Sequence, residues 1–445
     1  MANIVFGSGI TIGSGISFQY PPPPPPYFIA QGPTSGDSDN KSIALDSSGN
    51  IYSIGTLTSG SGDISFIKYD TNSTAVWQYK IDSGVADTIS GIHIDSSDNI
   101  FVVGTSGGYI WVAKFNTSGS VQWQRQIRAS AGSTTTGNNI VSDSSGNLYV
   151  VGWFVNYTGC LIKLNSSGVV QYFKYSDSMN MAHLVIDSSD NLYLMGQSNG
   201  YRNPQAGGPG VIVKLNSSGN QVWLRTWDGG STYANYAGGL TLSSSGNYLY
   251  ASFSASNSDG FLAKLSTTDG SQSWQRRVSG VGNEYGGSVA VDSSENVYWA
   301  TSQLYNYDNN VGYNNQKAVI IKYDSSGTIQ WQRQMYTSGL AYPNNFDYLN
   351  KIVVSGSDFY AGGHMNLTNI SAKFPGDGTL TTATSYSVNG KSIVYNASSI
   401  TQDATGLTLG TSAAAQFVTL TGWVESATAF TPVATSFTIT RVVIG

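Results

Sequence analysis

One cysteine, Cys160, stands among 445 residues, so no intrachain disulfide and no cysteine-built zinc cluster can form. Stability has to come from packing. Charge is scarce as well: 11% of residues are ionised side chains, the formal net charge is −5 and the pI is near 5.1. Without clustered Lys and Arg there is no electrostatic grip on nucleic acid or anionic lipid, and neither is expected as a partner. No stretch approaches the roughly 18 apolar residues of a membrane span, and the N-terminus lacks the basic and apolar regions of a signal peptide. Membrane insertion is therefore not expected, and synthesis in a cytoplasm is.

What the chain has in abundance is Gly, Ser, Thr, Asn and Tyr, with apolar residues in short runs, the profile of a β protein with many turns. One phrase recurs: "ALDSSGNIYSIG" at Asp46, "HIDSSDNIFVVG" at Asp95, "VSDSSGNLYVVG" at Asp143, "VIDSSDNLYLMG" at Asp187, "TLSSSGNYLYAS" at Ser243 and "AVDSSENVYWAT" at Asp292. A decayed copy, "IVVSGSDFYAGG", follows at Ser355, and "ITQDATGLTLGT" at Asp403 is a doubtful eighth. Asp opens a tight turn by accepting a downstream N–H, and Gly takes the left-handed position at its end. Asp98 and Asp190 replace that Gly tolerably; Glu295 fits less well. A calcium loop is the weaker reading of these acids, because EF-hand ligands alternate along the loop and end in Glu.

A second phrase follows each first one, as in "FIKYDTNSTAVWQYK" and "VIIKYDSSGTIQWQRQ". It is again strand, turn, strand. Each unit thus holds four strands, a to d, with Trp77, Trp123, Trp223, Trp274 and Trp331 at one position of strand d and Tyr172 in that place in the third unit. These phrases resemble the bacterial SBBP repeat, "DssGNvYvvG … KyDssG … W", over roughly Ser42 to Phe374. The resemblance implies an all-β propeller of seven, possibly eight, four-stranded blades. A looser similarity to the tryptophan-docking repeats of quinoprotein dehydrogenases implies that the tryptophans wedge between blades. Residues 27–392 are assigned to the propeller and 393–445 to a degenerate last blade or a closing β segment. The ring can close through "YFIAQ" from Tyr27 or through "SFTITRVVIG" at the C-terminus.

In this strand order the a–b and c–d turns share one face and the b–c and d–a loops the other. The first face is uniform in sequence. The second varies widely and carries Tyr201, Trp227, Tyr233, Tyr236, Tyr285, Tyr305, Tyr307, Tyr313, Tyr342 and Tyr348, aromatic area suited to a polysaccharide or a protein partner. Catalytic signatures are missing: there is no H-E-x-x-H, G-x-S-x-G or P-loop. His93, His183 and His364 read as structural, the turn acids are spread around a ring, and the sequons at Asn116, Asn165, Asn216 and Asn366 are by-products of turn composition. No enzyme activity, cofactor or metal is expected.

The opening "GSGITIGSGISFQYPPPPPPYF" completes the reading. Residues 1–20 alternate Ile with small polar residues, and residues 21–26 are a polyproline rod that proline's missing N–H bars from strand pairing. Ile10, Ile12, Ile16 and Phe18 are candidate docking residues for another subunit's sheet. Such Gly/Ile arms are similar to those of structural proteins of tailed cyanobacterial viruses. That resemblance implies a virion protein present in several copies, attached to other virion proteins through residues 1–20 and facing a host polysaccharide. A bacterial surface or secreted lectin or adhesin is the alternative, and a polysaccharide-degrading enzyme the third reading.

Overall fold

The recurring Asp closes its turn with both backbone and side chain. In the first unit the Gly49 N–H donates to the Asp46 carbonyl at 2.9 Å, while Asp46 Oδ1 accepts the N–H groups of Ser48 and Asn50 at 3.0 and 2.9 Å. Gly49 sits at φ 79°, a region open to glycine at no steric cost. Six copies of this turn and six of its c–d counterpart set the register of the a–b and c–d hairpins from the first blade to the sixth.

The computed structural model describes residues 11–12, 16–17, 27–31, 39–57, 62–129, 134–154, 158–176, 179–198, 208–228, 236–254, 259–279, 286–308, 313–338, 347–365, 369–378, 384–388, 391–397, 401–403, 408–410, 418–419, 424–427, 433–434 and 440–444. It is a propeller of seven antiparallel blades. The first blade comprises Asp39–Leu45, Ile51–Leu57, Asp63–Tyr69 and Ala75–Ile81, strands a to d. Blades two to six repeat that order up to Ile329–Ser338. The seventh takes strands a to c from Tyr348–Ser355, Asp358–His364 and Asn369–Pro375 and its strand d from the N-terminus, Tyr27–Gln31. The N-terminal segment therefore closes the ring. Buried Asn40 fastens the seam from the first blade, donating to Ser53 Oγ, Ile370 O and Ser371 Oγ at 2.9, 2.8 and 3.1 Å.

The central strands of each blade are buried on both faces, as sheets sandwiched between neighbours must be. Ile51–Leu57 and Asp63–Tyr69 are buried almost throughout. The core lies between blades: Tyr52 and Phe66 of the first pack with Ile100, Trp111 and Phe115 of the second.

The C-terminal region does not form an eighth blade. "ITQDATGLTLGT" instead gives Thr401–Asp403 to the outer edge of the fifth blade and Thr408–Gly410 to that of the fourth. Before them, Lys391–Ala397 lines the sixth blade, itself flanked by Thr384–Val388. After them, Val418–Thr419, Val424–Ala427 and Val433–Ala434 pair with the third, second and first blades, and Thr440–Ile444 with Tyr27–Gln31 of the seventh. The chain thus runs back around the ring as a belt, adding an antiparallel strand outside every strand d. Edge strands expose unpaired N–H and C=O groups that invite association. The belt covers part of each.

Between blades, the tryptophans dock as the repeat implies. Trp77, Trp123, Trp223 and Trp274 each donate Nε1–H at 3.2 Å to a carbonyl in the next blade's c–d turn, those of Thr117, Ser166, Thr267 and Ser325, and Trp331 donates at 3.2 Å to Gly376 O, in the turn that follows strand c of the seventh. Each ring lies against the glycine of that turn; a Cβ on Gly168 or Gly378 would come within 2.8 or 2.6 Å of the indole. Only hydrogen fits there.

Candidate functional site

The turn acids are fully engaged in structure. Asp46 Oδ2 accepts Asn50 Nδ2 at 2.8 Å and the Tyr52 hydroxyl at 3.1 Å, and Lys68 Nζ lies 3.6 Å away. The same Asp–Asn–Tyr cluster recurs at Asp143, Asp187 and Asp292. Carboxylates bound to their own turns have few lone pairs left for a cation. Asp98 and Asp190 hold left-handed φ values of 60° and 61°, a conformation that costs a non-glycine residue roughly 1–2 kcal/mol. Each is held there by the preceding blade: Asp98 accepts Ser47 N–H and Oγ–H at 2.8 and 2.6 Å, and Asp190 accepts those of Ser144 at 3.0 and 2.7 Å. Glu295, at φ 64°, does the same for the Ser245 N–H at 2.7 Å. The poorer fit of Glu295 is thereby compensated, and blades one and two, three and four, and five and six are stitched in pairs on the uniform face.

On the other face, the sixth blade carries the longest hairpin, Val297–Asp308 and Tyr313–Tyr323, strands of 12 and 11 residues. Tyr305 pairs with Asn315 and Tyr313 with Asp308, which places Tyr305, Tyr307 and Tyr313 together at its tip. Trp227, the last residue but one of strand d of the fourth blade, pairs with Gly210, and Tyr236 begins strand a of the fifth opposite Ser254. Tyr348, which opens strand a of the seventh, stacks on His364 with ring centroids 5.3 Å apart. Tyr201, Tyr233, Tyr285 and Tyr342 lie outside the described residues. In the arm, Ile12 pairs with Ile16 in a hairpin of two dipeptide strands, while Ile10 and Phe18 lie outside the described residues.

The strands a form the wall of a central channel, and all but the sixth blade's carry a bulge or irregularity at one level. His93 faces Ser142 of the next blade, Nε2 to Oγ 2.9 Å, and stacks on Phe101. Burial holds its pKa down at about 4, with the Lys351 ammonium adding to that effect and Asp95 opposing it. His183 is likewise held at about 4 by burial and Lys351, against a hydrogen bond with the Ala237 backbone. Lys351, itself depressed by burial, was not singled out from the sequence. Its position one residue past the bulge, equivalent to His183, was the available signal. Among the described residues, two clefts open at the uniform-face mouth of this channel. One, of about 590 Å³, lies among the second to fourth blades and the other, of about 480 Å³, among the seventh, first and second; His93 lines both.

No curated protein matches the sequence. The family profile of the beta-propeller repeat (SBBP) matches residues 122–153, and that of outer membrane protein assembly factor BamB matches residues 208–373. Among solved structures, a catalytically inactive histidine-to-alanine variant of virginiamycin B lyase from Staphylococcus aureus, with quinupristin, superimposes at TM-score 0.51 and 12% identity, covering 78% of this chain and 99% of that one. The Cps50 (Swd1) propeller of Myceliophteria thermophila gives 0.49 at 11% over 78% and 99%, and the periplasmic gluconolactonase PpgL of Pseudomonas aeruginosa 0.49 at 13% over 68% and 94%. At 12% identity the likeness to the lyase shows the fold. It also corrects the expectation that the chain is no enzyme. That expectation rested on missing linear motifs, and the lyase shows that a propeller can house catalysis that depends on a single histidine.

Proposed function

We propose that this chain is a display ring of a tailed-phage particle, anchored through its N-terminal arm and presenting the b–c and d–a loops to a host polysaccharide or a neighbouring protein. The observation that carries this reading is the direction of Tyr27–Gln31. Phe28 pairs with Lys373, near the uniform-face end of strand c, and Gln31 with Ile370, so the chain enters the ring on the uniform face and runs toward the loop face. Whatever precedes Tyr27 joins the ring on the side opposite the Tyr305, Tyr307 and Tyr313 hairpin. Attachment and presentation thereby fall on opposite faces. The uniform face suits the attached side, since its turn acids are already bonded to their own turns.

Three experiments test the reading. Mass spectrometry of purified particles should find the protein, and a chain lacking residues 1–26 should fold yet fail to incorporate. Tyr305→Ser, Tyr307→Ser and Tyr313→Ser together should abolish binding to host-cell polysaccharide with the melting temperature unchanged. Absence from particles, or normal incorporation of the truncated chain, would overturn it.

A further inference from the structure

We propose that the uniform-face mouth of the central channel is an oxyanion site, taking a carboxylate or a phosphate group between Lys351 and His93. The inference concerns a different place from the display hairpin and stands independently of it.

The wall of the channel is the basis. From the bulge of each strand a to its turn, the ionisable side chains are Lys41, His93, His183 and Lys351, with Asp39 and Asp87 standing before it at the strand starts. The first four are bases. No carboxylate among the described residues forms an ion pair with Lys351. Lys351 and His93 line one cleft of about 480 Å³ together with Ser47, Ser96 and Ser355, a volume that accepts a sugar acid or a phosphate group. Three acids, Asp46, Asp95 and Asp98, line the same cleft, and each is hydrogen-bonded within the turns. Asp46 and Asp95 cap their own turns, and Asp98 holds Ser47.

Lys351, desolvated by burial and without an ion-pair partner among the described residues, is costly to keep charged, and an anion seated against it relieves that cost; the charges of Asp46, Asp95 and Asp98 in the same cleft oppose the anion. Lys351 pushes both imidazoles toward the neutral form, so charge on Lys351 is felt at both rings. A bound oxyanion reverses that push and adds a negative charge beside His93. Binding is therefore linked to proton uptake, and it tightens as pH falls toward the histidine pKa values.

The test is a proton NMR titration of the histidine Cε1–H resonances in the full chain, with inorganic phosphate, glucuronate, glucose or calcium chloride at constant ionic strength. Phosphate or glucuronate should raise the His93 pKa by about one unit or more, and the tighter of the two identifies the source of the anion. Lys351→Met should weaken binding at least about tenfold, as loss of a charged hydrogen bond does, while Lys351→Arg retains it. The inference falls if neither anion moves His93, if glucose moves it equally, if calcium is the species that binds, or if Lys351→Met responds as the wild type. His93→Asn, with the Lys351 methylene resonances as reporter, settles the matter should Lys351→Met not fold. Particle incorporation should be unchanged in Lys351→Met, which separates failure here from failure of the display reading.

Discussion

Lys322 and Trp331, cross-strand partners in the sixth blade, donate to one acceptor in the seventh, the carbonyl oxygen of Gly376, at 2.9 and 3.2 Å. Lys214 with Trp223 on Thr267, and Lys264 with Trp274 on Ser325, repeat the arrangement. The same lysines lie over tyrosine rings of strand b, Lys322 at 4.8 Å from the Tyr298 centroid and Lys214 at 5.1 Å from Tyr193. The letters D, Y, K and W of the repeat are thus one wired cluster, running from the turn of a blade to the backbone of the next.

Because both donors share one carbonyl, their contributions should be coupled. Trp274→Phe should lower stability by about 1–2 kcal/mol and Lys264→Met by about 1 kcal/mol, with the double variant losing less than the sum. Denaturant midpoints of the four proteins check this; additive losses would mean that the shared carbonyl couples nothing.

Asp98 poses strain against hydrogen bonding. Asp98→Gly relieves the left-handed backbone, worth roughly 1–2 kcal/mol, but forfeits both bonds to Ser47. The two effects nearly cancel, so Asp98→Gly should be close to neutral. Asp98→Ala keeps the strain without the bonds and should melt below both the wild type and Asp98→Gly. Thermal unfolding of the three proteins distinguishes them, and Asp98→Ala melting together with the wild type would refute the stitching of blades one and two.

The channel histidines make stability depend on pH. His93 and His183 sit at about 4 in the folded chain against an ordinary 6.5, so between these values the unfolded chain binds the protons. Stability should therefore be full above about pH 6.5 and decline as pH falls toward 4. Lowered carboxyls such as Asp98 and Asp187 act only below the ordinary carboxylate range. His93→Asn should flatten the decline between pH 6.5 and 4, measured as melting temperature against pH.

Removal of residues 398–445 should leave a folded ring with most of its d edges bare. Far-UV circular dichroism should keep its β signature while the protein self-associates with rising concentration in sedimentation velocity. A truncated chain that stays monomeric would show that the belt does not guard those edges.

Much of the fold was legible because the repeat is written in residues with strong local reasons. Asp, Gly and Asn fix the turns, and Trp recurs where one blade meets the next. Tyr27–Gln31 was readable as a strand d because a connector to the first blade follows it. The belt was not. Its segments are as short as two residues, too brief for any periodicity, and Asp403 with its neighbours mimics the turn phrase while pairing elsewhere. The candidate binding aromatics were visible as loop composition, but the roles of Lys351 and Asp98 depend on side chains 51 residues or more away in sequence, which only the closed ring brings into reach.

The belt alters how the ring bears load. Seven blades joined only in sequence would part at their single seam, like staves without a hoop. Here the seam strand Tyr27–Gln31 is gripped on both sides, with four residue pairs toward strand c and five toward Thr440–Ile444. A pull on the N-terminal segment runs along that strand, so both ladders are sheared together and cannot be opened one bond at a time. The inner ladder passes tension into the seventh blade, and the outer one passes it into a hoop that reaches the other six.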